Sequence, residues 1–138
     1  MSRWTHITSC MSVDTCIDNR KRVKKSIMNY INKAPKITGS EGDAEVYVTL
    51  QRGYNVSSWK RNHKNEFIHY QTCIIISIQG DLRDKDGETT KEEFINFLNY
   101  IKKAYIVRDY SVNIEDEYIV KDYDMSIEDD EDESITKI

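Results

Sequence analysis

The sequence has no long apolar run, no signal-peptide layout and no recognisable catalytic or cofactor motif. No stretch approaches the roughly 18 apolar residues that a membrane-spanning helix needs. The opening Met-Ser-Arg-Trp-Thr-His lacks the basic and then apolar segments of a secretory signal. We therefore expect a soluble, cytoplasmic protein that is not an enzyme and holds no cofactor.

Cysteines are also few. Cys10, Cys16 and Cys73 are odd in number and form no Cys-x-x-Cys pair, which argues against a disulfide framework. We expect reduced and mostly buried thiols. His63 and His69 lie close to Cys73 in sequence and offer three zinc ligands, but their spacing matches no standard site and no fourth ligand is evident. The sequence therefore predicts no metal site.

The 138 residues are enough for one domain, and their charge is distributed unevenly. Residues 1–70 contain 12 Lys and Arg against 6 Asp and Glu, whereas residues 71–138 contain 8 against 18. The net charge of −4 therefore hides a polarised chain. Whether this gives a polarised surface depends on how the two halves are arranged in the fold.

The first half of the chain predicts a strand, a helix and a second strand. Residues 4–13 are rich in strand-forming residues. Residues 16–33 repeat apolar side chains at helical spacing. Residues 44–50 alternate apolar and polar side chains without a break, which is typical of a half-buried strand. Residues 53–70 show no sustained period and predict a long loop of the kind that is often functional.

The second half predicts the same order again. The apolar run at residues 72–80 indicates a buried strand ending at Gly80. Thr90 and Glu93 have capping-box spacing, which predicts the start of an amphipathic helix that continues to Tyr105. Residues 106–114 alternate as a strand, and residues 118–123 offer a short edge strand.

The resulting order is that of an α+β, ferredoxin-like βαββαβ fold. We expect a four-stranded antiparallel sheet with its first and third strands central and both helices on one face. The other face of the sheet, which carries Tyr47 and Thr49, should be open to solvent or to a partner. Residues 1–123 form the predicted domain, and residues 124–138 form an acidic tail that we expect to be disordered.

Two charged segments allow more than one interpretation. The first helix carries a basic cluster that is either a solvated face, a site for nucleic acid or another anion, or a protein contact: Arg20, Arg22, Lys24 and Lys25. The second segment, residues 80–87, surrounds Arg83 with carboxylates. It lacks the register of a calcium-binding EF-hand loop, so we expect a turn with local ion pairs.

Four short motifs resemble a family of small phage and prophage proteins. They are the opening Trp-Thr-His-Ile-Thr-Ser-Cys-Met-Ser-Val-Asp-Thr, Ile-Thr-Gly-Ser-Glu-Gly at 37–42, Gly-Asp-Leu-Arg-Asp at 80–84 and Val-Arg-Asp-Tyr-Ser-Val-Asn-Ile-Glu at 107–115. The resemblance covers most of residues 3–115 and carries no catalytic residues. It implies a protein of the host cytoplasm that inhibits a defence system, such as CRISPR, by binding one of its proteins.

Two functions are therefore predicted. The first is a non-enzymatic inhibitor that contacts a host defence nuclease or effector, with the acidic tail as a nucleic-acid decoy. The second is an oligomer, for example a homodimer, that binds a signalling nucleotide or nucleic acid on the basic helix. The predicted partner-binding residues are Tyr47, Tyr54, Trp59, Lys60, Arg61, Asp81, Arg83, Asp84, Glu128, Asp129, Asp130 and Glu131.

Overall fold

A computed structural model describes residues 3–14, 20–55 and 70–127 of the chain. Within these ranges the chain forms five strands and two helices. In order they are β1 (Trp4–Asp14), α1 (Arg20–Asn32), β2 (Glu45–Asn55), β3 (Tyr70–Arg83), α2 (Gly87–Lys102), β4 (Ile106–Asp116) and β5 (Lys121–Ser126).

The strands form one antiparallel sheet in the order β2-β3-β1-β4-β5. The prediction of four strands is wrong, because β5 adds a fifth strand at the β4 edge. Lys121 of β5 lies opposite Asp116 of β4, and the pairing continues to Ser126 opposite Ser111. The tight turn at residues 117–120 makes this hairpin possible, since antiparallel neighbours need only a short connection. β5 therefore includes residues 124–126, which the sequence suggested as the beginning of the tail.

Both helices lie on one face of the sheet. Tyr30 of α1 stacks on Tyr100 of α2 with 4.2 Å between ring centroids, so the helices are neighbours. Their apolar faces and the inward side chains of the strands form one core: Ile7, Met11, Val13, Val23, Ile27, Ile31, Ala34, Ile37, Ile74, Ile76, Ile78, Leu82, Phe94, Phe97, Leu98, Ile101, Tyr110, Val112, Ile114 and Tyr123. The alternation in β1, β3 and β4 produces this core, because every second strand residue points toward the helices.

The second helix begins earlier than the capping box predicted. Its N-cap is Asp86, whose carboxylate accepts a hydrogen bond from the Thr89 amide at 2.6 Å. The Thr90 hydroxyl is buried and donates to the Asp86 carbonyl at 2.8 Å. Glu93 accepts hydrogen bonds from the amide and hydroxyl of Thr38, so it is not available to cap the helix. A different local contact, from Asp86, thus caps the helix, and Glu93 has a tertiary partner instead.

The third strand is also longer than predicted. Gly80 does not end it, because β1 pairs with β3 as far as Trp4 opposite Arg83. A side chain on Gly80 would lie 2.9 Å from both Cα and Cβ of Ala44, so this glycine makes room for the segment before β2. β2 extends to Asn55, three residues into the predicted loop, and residues 56–69 lie outside the described ranges.

The expected burial of the cysteines is wrong for Cys10. Alternation along β1 places Cys10 on the same face as Thr8 and Ser12, away from the helices, and its thiol is exposed. Cys73 is half-buried and hydrogen-bonds with the Ser12 hydroxyl at 3.2 Å. Both thiols are free. Cys16 lies outside the described residues.

Candidate functional site: the open face of the sheet

The sheet has one face without a helix on it, which we call the open face. It consists of the strand side chains that alternate with the core residues. Strand register aligns these side chains into rows that cross the sheet. The first row is Asp81, His6, Glu115 and Asp122, and the second is Glu45, Gln79, Thr8, Asn113 and Asp124. A third row contains Tyr47, Ser77, Cys10, Ser111 and Ser126.

The open face is acidic. The first two rows contain five carboxylates drawn from four strands, and His6 is the single basic side chain in them. The exposed basic side chains Arg22, Lys24 and Lys25 lie on α1, on the opposite side of the sheet. The exposed basic side chains of α1 and the carboxylates of the two rows therefore lie on opposite sides of the sheet, although α2 also exposes Glu88 and Glu92 on the helix side. The strand order mixes residues from both halves of the chain in the open face.

His6 lies between two carboxylates at one end of the open face. Its Nδ1 lies 2.5 Å from Oδ1 of Asp81, and its Nε2 lies 2.7 Å from Oε1 of Glu117. Ionised carboxylates only accept hydrogen bonds, so both ring nitrogens donate, as they do in imidazolium. The hydrogen bond to Asp81 raises the pKa of His6, burial opposes this, and the contact with Glu117 raises it further. The ring thus joins β1 to β3 and to the β4–β5 turn, and both contacts are strongest when it is protonated.

A cleft of about 590 Å³ opens beside His6 at the end of the sheet. Trp4, Gln79 and Asp81 line its sheet side. Glu41, Gly42 and Asp43 of the segment that precedes β2, together with Glu45 at the start of β2, form the opposite wall. An acidic cleft with one aromatic wall suits a cationic group such as guanidinium, which donates hydrogen bonds to carboxylates and stacks on aromatic rings.

Arg83 and Asp84 hold the outer wall of this cleft in place. Arg83 forms an ion pair with Glu41, and the Asp84 carboxylate accepts a hydrogen bond from the Ser40 hydroxyl at 2.9 Å. The Ser40 amide also donates to the Arg83 carbonyl at 3.0 Å. The 80–87 segment contains a local ion pair of the expected kind, with 4.0 Å between Arg83 Nε and Asp84 Oδ2, and the ion pair with Glu41 adds a contact that is distant in sequence. Arg83 and Asp84 therefore position the segment that forms the outer wall of the cleft.

A buried carboxylate anchors the same end of the sheet. Asp116 has no exposed surface, and its Oδ2 accepts from the Gly87 amide at 2.8 Å and from Arg3 at 3.0 Å. Its Oδ1 accepts from the amides of Tyr118 at 3.0 Å and Ile119 at 3.4 Å. Burial is the largest single influence and would raise the pKa of Asp116, but these donors together hold it below its ordinary value. Asp116 therefore connects β4, the start of α2 and the β4–β5 turn.

The predicted site residues have different positions. Tyr47 and Asp81 are exposed on the open face, with Tyr47 48% exposed and donating to Glu45. Tyr54 lies in β2, and Arg20 begins α1. Outside the described residues are Trp59, Lys60, Arg61, His63, His69, Glu128, Asp129, Asp130 and Glu131.

His6, Asp116 and the acidic residues of β4 and β5 were not predicted as site residues from the sequence. The alternation in residues 109–115 was the available signal for Glu115, but nothing in the sequence placed it in the same row as Asp81. Within the described ranges there is no group of three or more His, Cys, Asp or Glu side chains suited to a metal ion. Neither described helix combines the length and apolar character that crossing a membrane requires.

Comparison of the chain with protein-family models, curated proteins and solved structures gives no match.

Proposed function

We propose that this protein is a non-enzymatic inhibitor, encoded by a phage, whose acidic open face binds the basic nucleic-acid-binding surface of a host defence nuclease or effector. The observation that carries the proposal is the acidic surface made by the rows through His6 and Thr8. Five carboxylates spaced across four strands present negative charge over an extended area, as a nucleic-acid backbone does. A protein surface shaped for phosphates is complementary to it.

The cleft supports a more specific mode of attachment. Trp4 and Asp81 offer an aromatic surface and a carboxylate to one inserted arginine of the partner. Buried aromatic and arginine anchors provide most of the affinity in protein interfaces, whereas charges at the rim mainly accelerate association. In this proposal the cleft supplies the anchor and the rows of carboxylates steer the encounter.

We also propose that the first four strands and the two helices form a ferredoxin-like arrangement, to which β5 is an addition. β1 and β3 are adjacent, and each helix connects two strands that have one other strand between them. A βαββαβ chain with right-handed crossovers has this order. β5 then widens the open face with Asp122 and Asp124.

Affinity capture from host lysate with matched variants tests the function. The variant E115Q/D122N removes two carboxylates that lie opposite each other on the open face. The control E88Q/E92Q removes two exposed carboxylates from α2, so its net charge is the same. We expect captured nucleic-acid-binding proteins to be released by duplex DNA and by salt, and to be lost with the first variant only. Equal capture by both variants would contradict the proposal.

The basic residues of α1 support a second candidate function. Arg22, Lys24 and Lys25 are exposed on this helix and could hold the phosphates of a signalling nucleotide. Mass spectrometry of small molecules retained by the purified protein distinguishes the two functions. A retained nucleotide that K24Q/K25Q loses, without any captured protein, would favour nucleotide sequestration over inhibition.

A test of the acidic tail requires a truncation that leaves the sheet intact. Removing residues 124–138 would also delete half of β5, including the contact between Asn113 and Asp124 at 2.5 Å. A chain ending at Ile127 leaves β5 complete. If the tail is part of the decoy, this shorter chain captures less of the same partner and keeps its thermal stability.

A further inference from the structure

The turn between β4 and β5 exposes consecutive apolar and aromatic side chains. Tyr118, Ile119 and Val120 are 72%, 48% and 88% exposed, and we call these residues the apolar tip. Soluble proteins scatter single apolar residues over their surface, whereas a contiguous apolar patch with a polar rim is typical of an interaction site. The exposure of the whole tip therefore suggests that it contacts another molecule.

The last residue of the apolar tip adopts a backbone conformation that does not suit its side chain. Val120 has a φ of 50°, in the left-handed region. Glycine, asparagine and aspartate adopt this region readily, but a β-branched residue is strained there. Because Val120 is exposed, packing of its side chain contributes little to the fold. Strained residues of this kind cluster at functional sites, so the valine has a reason outside the folded chain.

The apolar tip is held in place from two sides. The Asp116 carboxylate accepts hydrogen bonds from the amides of Tyr118 and Ile119, at 3.0 and 3.4 Å. On the other side, the guanidinium carbon of Arg3 lies 4.7 Å from the centre of the Tyr118 ring. A segment that is already ordered loses less conformational entropy when it associates. The tip is therefore preorganised for a contact.

The apolar tip is continuous with the open face. Glu117 directly precedes the tip, its amide donates to the Trp4 carbonyl at 3.1 Å, and its carboxylate lies 2.7 Å from Nε2 of His6. Glu115 and Asp122 lie opposite each other in the first row, one residue pair away from the turn. A molecule that covers the tip therefore also meets the carboxylates of the open face.

We propose that the apolar tip inserts into an apolar pocket of a protein, beside the basic surface that the open face contacts, so that both surfaces bind one partner. The presence of that basic surface rests on the proposed function. Protein interfaces combine an apolar centre with a charged rim, and the tip and the first row match this arrangement. A membrane suits the tip less well, because anionic lipids would repel Glu115 and Asp122.

The thermal stability of V120N tests whether Val120 serves the fold. Asparagine tolerates the left-handed region and removes the apolar side chain. We expect the thermal midpoint of the full chain to stay within about 2 °C of the original value or to rise by up to about 4 °C, since backbone strain is relieved. A fall of more than about 2 °C would show that Val120 stabilises the fold, and it would overturn the proposal.

Affinity capture from host lysate tests the contact. At limiting amounts of bait, we expect V120N to capture about tenfold less of the partner, the factor expected for one buried valine. The control I106N removes a 66% exposed side chain from the first residue of β4 and should capture the full amount. Equal capture by V120N and the unsubstituted chain, or no captured protein, would overturn the proposal. If E115Q/D122N retains the protein that V120N loses, the contact by the tip stands and the proposed function fails.

Photo-cross-linking tests the chemistry of the pocket. With p-benzoylphenylalanine in place of Tyr118, we expect a cross-link to the captured protein, on a peptide that lines an apolar pocket next to Lys or Arg side chains. The same group in place of Ile106 should give no cross-link. A cross-link from position 106 alone, or from neither position, would overturn the proposal. Sedimentation of the chain with phosphatidylglycerol vesicles, lost in V120N, would assign the tip to a membrane and would overturn the protein partner.

Discussion

Replacing Asp116 with asparagine should destabilise the fold strongly, because four donors share this one buried carboxylate. Each oxygen accepts two hydrogen bonds, so the side-chain amide of the D116N variant would turn its NH2 group toward two donors in either orientation. Arg3 is partly exposed and can turn to water, but the Gly87 amide, or the amides of Tyr118 and Ile119, would lose an acceptor. Hydrogen bonds to a charged group contribute about 1.5–3 kcal/mol each, so we expect a loss of about 2–4 kcal/mol.

Urea denaturation at pH 7 measures this loss. With a slope of about 2 kcal/mol per molar urea, the midpoint of D116N should fall by roughly 1–2 M with little change in slope. The control D122N changes an exposed carboxylate of β5 and should shift the free energy of unfolding by less than about 0.5 kcal/mol. The D116N amide replacement is nearly isosteric, so a cavity does not contribute to the difference.

The pH dependence distinguishes a charge effect from a packing effect. The pKa of Asp116 is lower in the folded chain than its unfolded value of about 3.9. Its contribution is therefore fully present above the unfolded pKa and is lost as pH falls through the folded one. The gap in stability between D116N and the unsubstituted protein should narrow in acid. A gap below about 0.5 kcal/mol, or one that does not change between pH 7 and pH 3, would refute the reasoning.

Three further predictions concern other positions. H6Q should lower the thermal midpoint below about pH 6.5 and have less effect as pH rises, because the raised pKa of His6 makes its contribution greatest when the ring is protonated. The loss should stay under about 1 kcal/mol, since Asp81 is exposed, and a pH-independent loss would contradict the charged pair. G80A should cost about 1–3 kcal/mol in chemical denaturation by pushing Ala44 away, and an unchanged midpoint would argue against that close approach. F94A should cost about 3–5 kcal/mol by the same assay, because Phe94 is fully buried between helix and sheet, and a loss under about 1 kcal/mol would contradict its place in the core.

The sequence was sufficient to predict elements whose side-chain period is long and regular. β1 and β4 were predicted to within two residues of their bounds, because strand alternation depends only on which side faces the core. The start of α2 was not predictable by the same means. Glu93 has the spacing of a capping residue, but its carboxylate accepts a hydrogen bond from the hydroxyl of Thr38, which is distant in sequence. Local patterns predict a helix terminus correctly only when no tertiary partner competes.

The residues of the open face could not be predicted as a group from the sequence, because the strand register that aligns them joins segments that are distant along the chain. Glu45, Asp81 and Glu115 are separated by more than thirty residues along the chain, and each one alone is an ordinary exposed carboxylate. They lie in neighbouring rows of the open face only because β1 pairs with both β3 and β4 in the sheet. Asp116 was equally hidden, since it stands between two other acidic residues and only the alternation of β4 turns it inward.

The strand order also determines what the charge asymmetry of the chain can do. If each half of the chain had formed its own layer, basic and acidic side chains would have faced each other along the boundary between the two layers. Instead β1 and β2 of the basic half contribute Thr8 and Glu45 to the open face, while five of the twelve basic residues of that half belong to α1. β3, β4 and β5 supply the other four carboxylates of the two rows. The sheet therefore lies between the exposed basic side chains of α1 and the carboxylates of the open face.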